Sequence, residues 1–218
     1  MKNDFALYGY FRSSAAFRAR IALNLKGIEP ELRFIHLLKE GGQQHTAEYK
    51  TLNPMELIPA LVHDGQLITQ SLAIMEYLDE IVPEPPILPK DALGRARVRE
   101  IACVIACDIH PVNNLRLAQY LKREFHISDE QQANWQRHWI TLGFEALEKM
   151  LSLSKDTGTY SYGDSPTVAD ICLIPQIFNA RRVNLEVERY PTLSRIFAHA
   201  MQHPAFDAAQ PKNQPDAE

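Results

Sequence analysis

Cysteine is scarce in this 218-residue chain: only Cys103, Cys107 and Cys172 are present. The odd count and the lack of any C-x-x-C exclude a disulfide framework and a thioredoxin-type redox pair. Cys103 and Cys107 stand four apart on one helical face and read as small core residues. No apolar run approaches the length that a bilayer requires. The opening MKNDFALYGY has neither the apolar core nor the cleavage site of a secretory leader. A basic excess is missing too: the formal net charge is −4, which argues against a nucleic-acid partner. There is no internal repeat. What remains is an ordinary globular composition, 45% apolar and 23% charged. It leads to the expectation of a cytoplasmic protein with no membrane or nucleic-acid partner.

The first 84 residues alternate short apolar runs with helical patterns. FALYGY reads as a strand. Ser13 to Gly27 reads as a helix, with Phe17, Ile21 and Leu25 recurring at a spacing of four and Gly27 as the stop. ELRFIHL is a second strand, with Leu32, Phe34 and His36 on one side. A short helix is expected in QQHTAEYKTL. PALVHDGQLIT reads as a hairpin turning at Asp64-Gly65, where glycine accepts the positive φ of a type I′ turn. SLAIMEYLDEIV is a third helix. The order predicts a four-stranded mixed sheet: a right-handed crossover makes the first two strands parallel, and the hairpin adds an antiparallel pair.

β signals then disappear. PEPPILPKDA is proline-rich and reads as a linker. Residues 93–124 and 129–153 are long helical patterns, followed by shorter ones in SPTVADICLIPQIFNARR and YPTLSRIFAHAM. The polar tail AAQPKNQPDAE is expected to fray. The expected architecture is an α/β thioredoxin-like N-terminal domain (1–84), a linker (85–91) and an all-α C-terminal domain (92–218).

Chemistry concentrates at a few junctions. Ser13 and Ser14 open the first helix, where unpaired N–H groups and a partial positive charge favour an anion; a serine there is also a plain N-cap. Pro59 precedes the hairpin, and in a thioredoxin-like domain a cis proline here turns the Ile58 N–H and C=O toward a strand-like ligand. Gln70 and Ser71 open another helix, where Ser71 caps or holds a carboxylate. A short peptide could lie across these places, its carboxylate at Ser71, its backbone at Ile58 and its reactive end at Ser13. In CDIHPVNNLRLAQYL, Pro111 should kink a helix, with His110, Asn113, Asn114 and Arg116 crowding the kink. These polar groups either satisfy the freed backbone or face a ligand. Thr167 and Asp170 in TVAD read as a capping box with a stability role. His199 and His203, four apart without a carboxylate partner, read as a surface helix end, so no metal is expected.

The segments YFRSSAAFRARIALNLKGI, GGQQ, LNPMELIPAL, QSLAIMEYLDE, CDIHPVNN, GDSPTVADICLIPQ and NARR, spread over nearly the whole chain, resemble the zeta-class glutathione transferases. That family contains the maleylacetoacetate and maleylpyruvate isomerases. The resemblance implies glutathione as cofactor and a homodimer. By motif position, Ser13 stabilises the glutathione thiolate, with Ser14 and Ala15 lining the turn and Arg12 beside them. Gln44, Ile58, Pro59, Gln70 and Ser71 match glutathione-binding positions, and His110 and Asn114 lie close to the bound cofactor. Arg182 matches the arginine that points into the substrate site. With Arg12, Asn114 and Arg116 it suits a keto diacid. The motif S-S-C-x-W-R-V-R-I-A-L is altered: Ala15 stands at its cysteine, Phe17 at its tryptophan and Ala19 at its valine. Loss of the cysteine argues against cysteine-dependent thiol transfer. The implied activity is isomerisation of maleylacetoacetate by reversible thiolate addition to a conjugated alkene. Maleylpyruvate isomerisation and general conjugation of electrophiles remain alternatives. A non-catalytic binding module of the same fold need not keep Ser13, Gln70, Ser71 and the arginines together.

Overall fold

The computed structural model describes residues 5–218. Residues 1–4, part of the expected first domain and of the opening segment read as leader-free, lie outside the described residues. Contacts divide the chain into two compact units: the chain up to Pro86 together with Gln202–Glu218, and Ile87–Met201.

The first unit begins β1 (Phe5–Gly9), α1 (Ser14–Leu25), β2 (Glu31–Phe34), α2 (Ala47–Leu52), β3 (Ala60–His63), β4 (Gln66–Thr69) and α3 (Ser71–Ile81). The four strands form one sheet in the order β2-β1-β3-β4. β1 and β2 are parallel, and β3 is antiparallel to both β1 and β4, as the thioredoxin-like pattern predicts. Asp64 and Gly65 both have positive φ, 49° and 75°, the requirement of a type I′ turn. Phe5, Leu7 and Gly9 alternate inward along β1. α1 buries Phe17 and Ile21, the predicted face, but also Arg18, Arg20 and the adjoining Lys26. Lys26 Nζ reaches Asp79 Oδ1 at 2.7 Å and the Pro85 carbonyl at 2.6 Å. His36 departs from expectation: β2 ends at Phe34, and the His36 ring turns to accept at Nδ1 from the Leu38 and Lys39 amides.

The second unit is helical: α4 (Ala92–Cys103), α5 (His110–Val112), α6 (Leu115–Phe125), α7 (Asp129–Leu153), α8 (Val168–Arg182) and α9 (Pro191–Ala200). The helical pattern over 93–124 is interrupted around Pro111, where the sequence predicts a kink. Between α4 and α5 the backbone widens into a π-helix, Val104–Ile109, with the His110 N–H bonded to the Ile105 carbonyl. The cause is Pro111, which has no N–H to continue the α-helical ladder and whose ring crowds the preceding turn. Cys103 and Cys107 are exposed, which corrects their reading as core. Val98, Ile101, Ala102, Ile105 and Ile109 fill the buried face instead, and the cysteines lie on the opposite side. Only Cys172 is buried. The proline-rich segment is ordered rather than loose: the Ile87 carbonyl accepts from the Val168 amide, and Ile87 and Leu88 are buried.

The tail corrects both the frayed-end expectation and the 92–218 boundary. α10 (Pro204–Ala208) and a 3-10 turn at Pro211–Asn213 belong to the first unit. Phe206 and Ala209 are buried. Arg20 Nε donates to the Ala209 carbonyl at 3.1 Å, Asn24 Nδ2 to that of Ala205 at 2.9 Å, and the Phe11 amide to Asp216 Oδ2 at 2.9 Å. His203 Nδ1 accepts from the Ala205 amide and so caps α10. A polar composition hid this because few apolar anchors suffice when buried cations supply the remaining contacts. No helix among the described residues is long and apolar enough to cross a membrane.

Asp170 sits at the start of α8, fully buried. It accepts from the Ser161 amide (2.7 Å), the Thr167 amide (2.8 Å) and the Thr167 hydroxyl (2.9 Å). Burial pushes its carboxyl above the ordinary carboxylate value, against the pull of those donors. Two outcomes are expected in urea unfolding. Asp170→Ala should cost about 2–4 kcal/mol, because it leaves buried amides unpaired as well as removing a cap. Phe206→Ala should cost about 3–5 kcal/mol; no change in the midpoint would show that the tail contributes no core.

Candidate functional site

The sheet register gathers the predicted positions. β1 and β4 are each antiparallel to β3, so they run in the same direction. Tyr8, Ala60 and Thr69 face one another across the sheet, and Gly9 pairs with Phe34. The chain therefore leaves β1 toward Ser13, leaves β2 toward Gln44, enters β3 from Ile58-Pro59 and leaves β4 toward Ser71, all at one edge. An α/β sheet places ligands at such an edge.

Ser13 is the N-cap of α1: its Oγ accepts from the Ala16 amide at 3.2 Å. An oxygen that accepts one bond keeps its own hydrogen for donation, so capping and anion binding are compatible. α1 has no acidic residue in its first turn, which leaves the positive end of its dipole uncompensated. Ser14 is buried, Ala15 half-buried and Arg12 exposed.

Gln44 is buried. Its Nε2 lies 3.0 Å from His45 Nε2, while its Oε1 has no hydrogen-bond partner. A Cβ on Gly42, whose φ is +101°, would stand 2.6 Å from that amide, which gives GGQQ its second glycine. The Ile58-Pro59 bond is cis, as the sequence reading expects. The carbonyl just before it, Leu57 O, takes the Tyr49 hydroxyl and Asn53 Nδ2, each at 2.7 Å. Burial pushes the Tyr49 phenol up to about 12. Tyr49 and Asn53 thus pin the Ile58 segment. The sequence reading gave neither a role, although Asn53 lies within LNPMELIPAL.

At α3 the entering residue, Gln70, has φ 69° and ψ 119° and supplies no side-chain cap. A non-glycine residue held there costs about 1–3 kcal/mol and is found where function requires it. Ser71, buried, receives Arg18 Nη1 at 3.3 Å. Arg18 flanks the serines in the sequence but was given no role there.

In the second unit Asn114 caps α6, its Oδ1 accepting from the Arg116 amide at 3.0 Å, and Arg116 is exposed. Trp135 Nε1 donates to the Val112 carbonyl at 2.8 Å, taking up backbone freed at the kink. His110 closes the π-helix. Both amide atoms of the Asn113 side chain are buried without hydrogen-bond partners. The paired arginines at the end of α8 separate by environment. Arg181 lies 4.3 Å over the Phe197 ring and 3.6 Å from Glu188. Arg182 is exposed, with Nη1 3.5 Å from Asn179 Oδ1. Among the described residues no group of three or more His, Cys, Asp or Glu could hold a metal ion.

The family model of the glutathione S-transferase N-terminal domain matches residues 12–81, and that of the C-terminal domain matches residues 133–199. A probable maleylacetoacetate isomerase of Vibrio cholerae is 51% identical over 212 residues, 97% of each chain. A solved maleylpyruvate isomerase, described as a bacterial glutathione S-transferase of the zeta class, superposes with a TM-score of 0.95 at 42% identity, covering 98% of this chain and 100% of its own. A maleylacetoacetate isomerase of Methylobacterium extorquens AM1, solved with malonate and GSH bound, superposes with a TM-score of 0.94 at 38% identity, covering 98% and 99%. Agreement of this depth over both units, on a chain whose motifs already carried the resemblance, means that it belongs to the zeta class of glutathione transferases, the maleylacetoacetate and maleylpyruvate isomerase family.

Proposed function

We propose that the protein is a glutathione-dependent cis-trans isomerase that converts maleylacetoacetate to fumarylacetoacetate. The observation that carries this reading is the single sheet edge from which Ser13, Ile58 and Ser71 all emerge. Glutathione fits that edge. An extended peptide with a thiol and carboxylates meets two helix N-termini, the segment before a cis proline, and the unpaired Gln44 Oε1. The proposal includes the cytoplasmic homodimer that the resemblance implies.

Glutathione, when bound, supplies a thiolate that adds reversibly to the conjugated cis alkene, so that the former double bond can rotate before it is restored as trans. The chain's own residues set the conditions. Ser13 donates its hydroxyl hydrogen to the sulfur, and the N-terminus of α1 favours the thiolate over the thiol. Ser14 and Ala15 shape the same turn. The Ile58 backbone pairs with the cofactor as a strand would, and Gln70 and Ser71 hold its glutamyl end. Arg12 and Arg182 each supply a cation to a substrate carboxylate, because leaving either anion desolvated and unpaired would cost several kcal/mol. Arg182 is given this role by its place in NARR. His110, Asn114 and Arg116 are assigned to the cofactor and diacid on motif position.

Maleylpyruvate is the second reading, favoured by CDIHPVNN and by the 42% identity to a maleylpyruvate isomerase. The 51% identity to the Vibrio cholerae relative supports maleylacetoacetate. Purified protein should isomerise one or both keto diacids only with glutathione present. Glutathione-independent turnover, or conjugation of an uncharged aryl halide without isomerisation, would overturn the assignment. Ser13→Ala should lower kcat by about ten- to a thousand-fold with little change in glutathione affinity. Arg182→Ala should raise KM for the diacid by about ten- to a hundred-fold and leave KM for glutathione nearly unchanged.

A further inference from the structure

We infer that Arg18 is a positioning residue that aims the Ser71 hydroxyl at the α-carboxylate of the glutamyl end of glutathione; the inference rests on the reading of the site given above. Arg18 lies in the middle of α1, 1% exposed, and its Nη1 donates to Ser71 Oγ across the α1–α3 packing at 3.3 Å. A guanidinium has only donors, so Ser71 must be the acceptor in this bond. The serine hydrogen is then turned away from Arg18, and Arg18 is the hydroxyl's one side-chain partner among the described residues. Ser71 is itself 7% exposed and is the first residue of α3, a helix with no side-chain cap and no acidic residue in its first turn. α1, α2, α4, α6 and α7 each have a side chain accepting at that position. The hydroxyl hydrogen and the first N–H groups of α3 are thus both left for an acceptor from outside the helix. The buried charge has a second effect: it polarises the hydroxyl, so a carboxylate there would receive a charge-assisted bond through a relay of guanidinium, hydroxyl and carboxylate. A lysine in place of Arg18 would keep the charge but present a single point on a flexible stem.

The test is a comparison of ligands on folded protein. Glutathione and 4-aminobutyryl-cysteinyl-glycine, which differs only in lacking the glutamyl α-carboxylate, are titrated calorimetrically against wild type, Arg18→Lys, Arg18→Met and Ser71→Ala, each checked by thermal unfolding. Wild type should prefer glutathione by about ten- to a hundred-fold, the scale of one charge-assisted hydrogen bond. Arg18→Met and Ser71→Ala should both shrink that preference to a few-fold, with Arg18→Lys between. A glutathione esterified at its glycyl carboxylate should lose the same factor on every protein. An Arg18→Met that weakens glutathione and the decarboxylated analogue equally would reduce Arg18 to a packing role and overturn the inference. Absence of glutathione binding to wild type would instead overturn the functional reading. Should Arg18→Met and Arg18→Lys both fail to fold, the wild-type Arg18 guanidinium signals in 15N NMR decide. They should shift on adding glutathione and stay unmoved with the decarboxylated analogue, and identical responses to both would overturn the inference.

Discussion

Burying a cation obliges the fold to surround it with acceptors, and the α1 segment buries three: Arg18, Arg20 and Lys26. Each reaches a different part of the chain. Arg18 reaches α3 at Ser71, Arg20 the carbonyls of Tyr10, Phe11 and Ala209, and Lys26 Asp79 and Pro85. The loop before α1, the start of α3, the proline segment and the tail are therefore fixed by one helix. Burial lowers the Arg20 pKa to about 10, which leaves it charged at neutral pH. The candidate site lies at the N-terminal end of this helix, so its geometry is held by long-range polar bonds as well as by apolar packing.

The strands and helices of the first unit were legible because their periods and turn residues act locally. The Asp64-Gly65 turn, the spacing of Phe17 and Ile21, and the proline after Ile58 each have one dominant structural meaning. Arg18 and Arg20 were less legible. Their charge suggests solvent, and only tertiary contacts reveal that they lie inside. The tail was misread for the same reason: its apolar anchors are few, and the acceptors that it supplies are backbone carbonyls, which composition does not display. In the second unit the long helical pattern was read correctly as helical, but Cys103 and Cys107 were placed inside. Their spacing fits a face, and the stronger apolar stripe through Val98, Ile101, Ala102, Ile105 and Ile109 takes the core.

Motif residues also serve as structural parts. Asn114, read as a ligand contact, caps α6, and Ser13, read as a thiolate partner, caps α1. In both, the oxygen that accepts an amide still leaves a donor on the same side chain. Single-sequence reasoning could name these positions but could not see Tyr49 and Asn53 holding Leu57 O from behind. Such supporting bonds depend on where a helix comes to rest against a loop.

The first unit is discontinuous in the chain, since Gln202–Glu218 completes a structure that begins before the helical unit. A ribosome delivers residues in order, and domains fold as they emerge. Ile87–Met201 is therefore made before Gln202–Glu218, the segment that completes the first unit. Until then Arg20 lacks the Ala209 carbonyl and the surface of α1 lacks Phe206. Closure of the thioredoxin-like unit therefore waits on residues that follow the whole helical unit in the chain, so a chain cut after Met201 would leave α1 without Phe206 and without the Ala209 carbonyl.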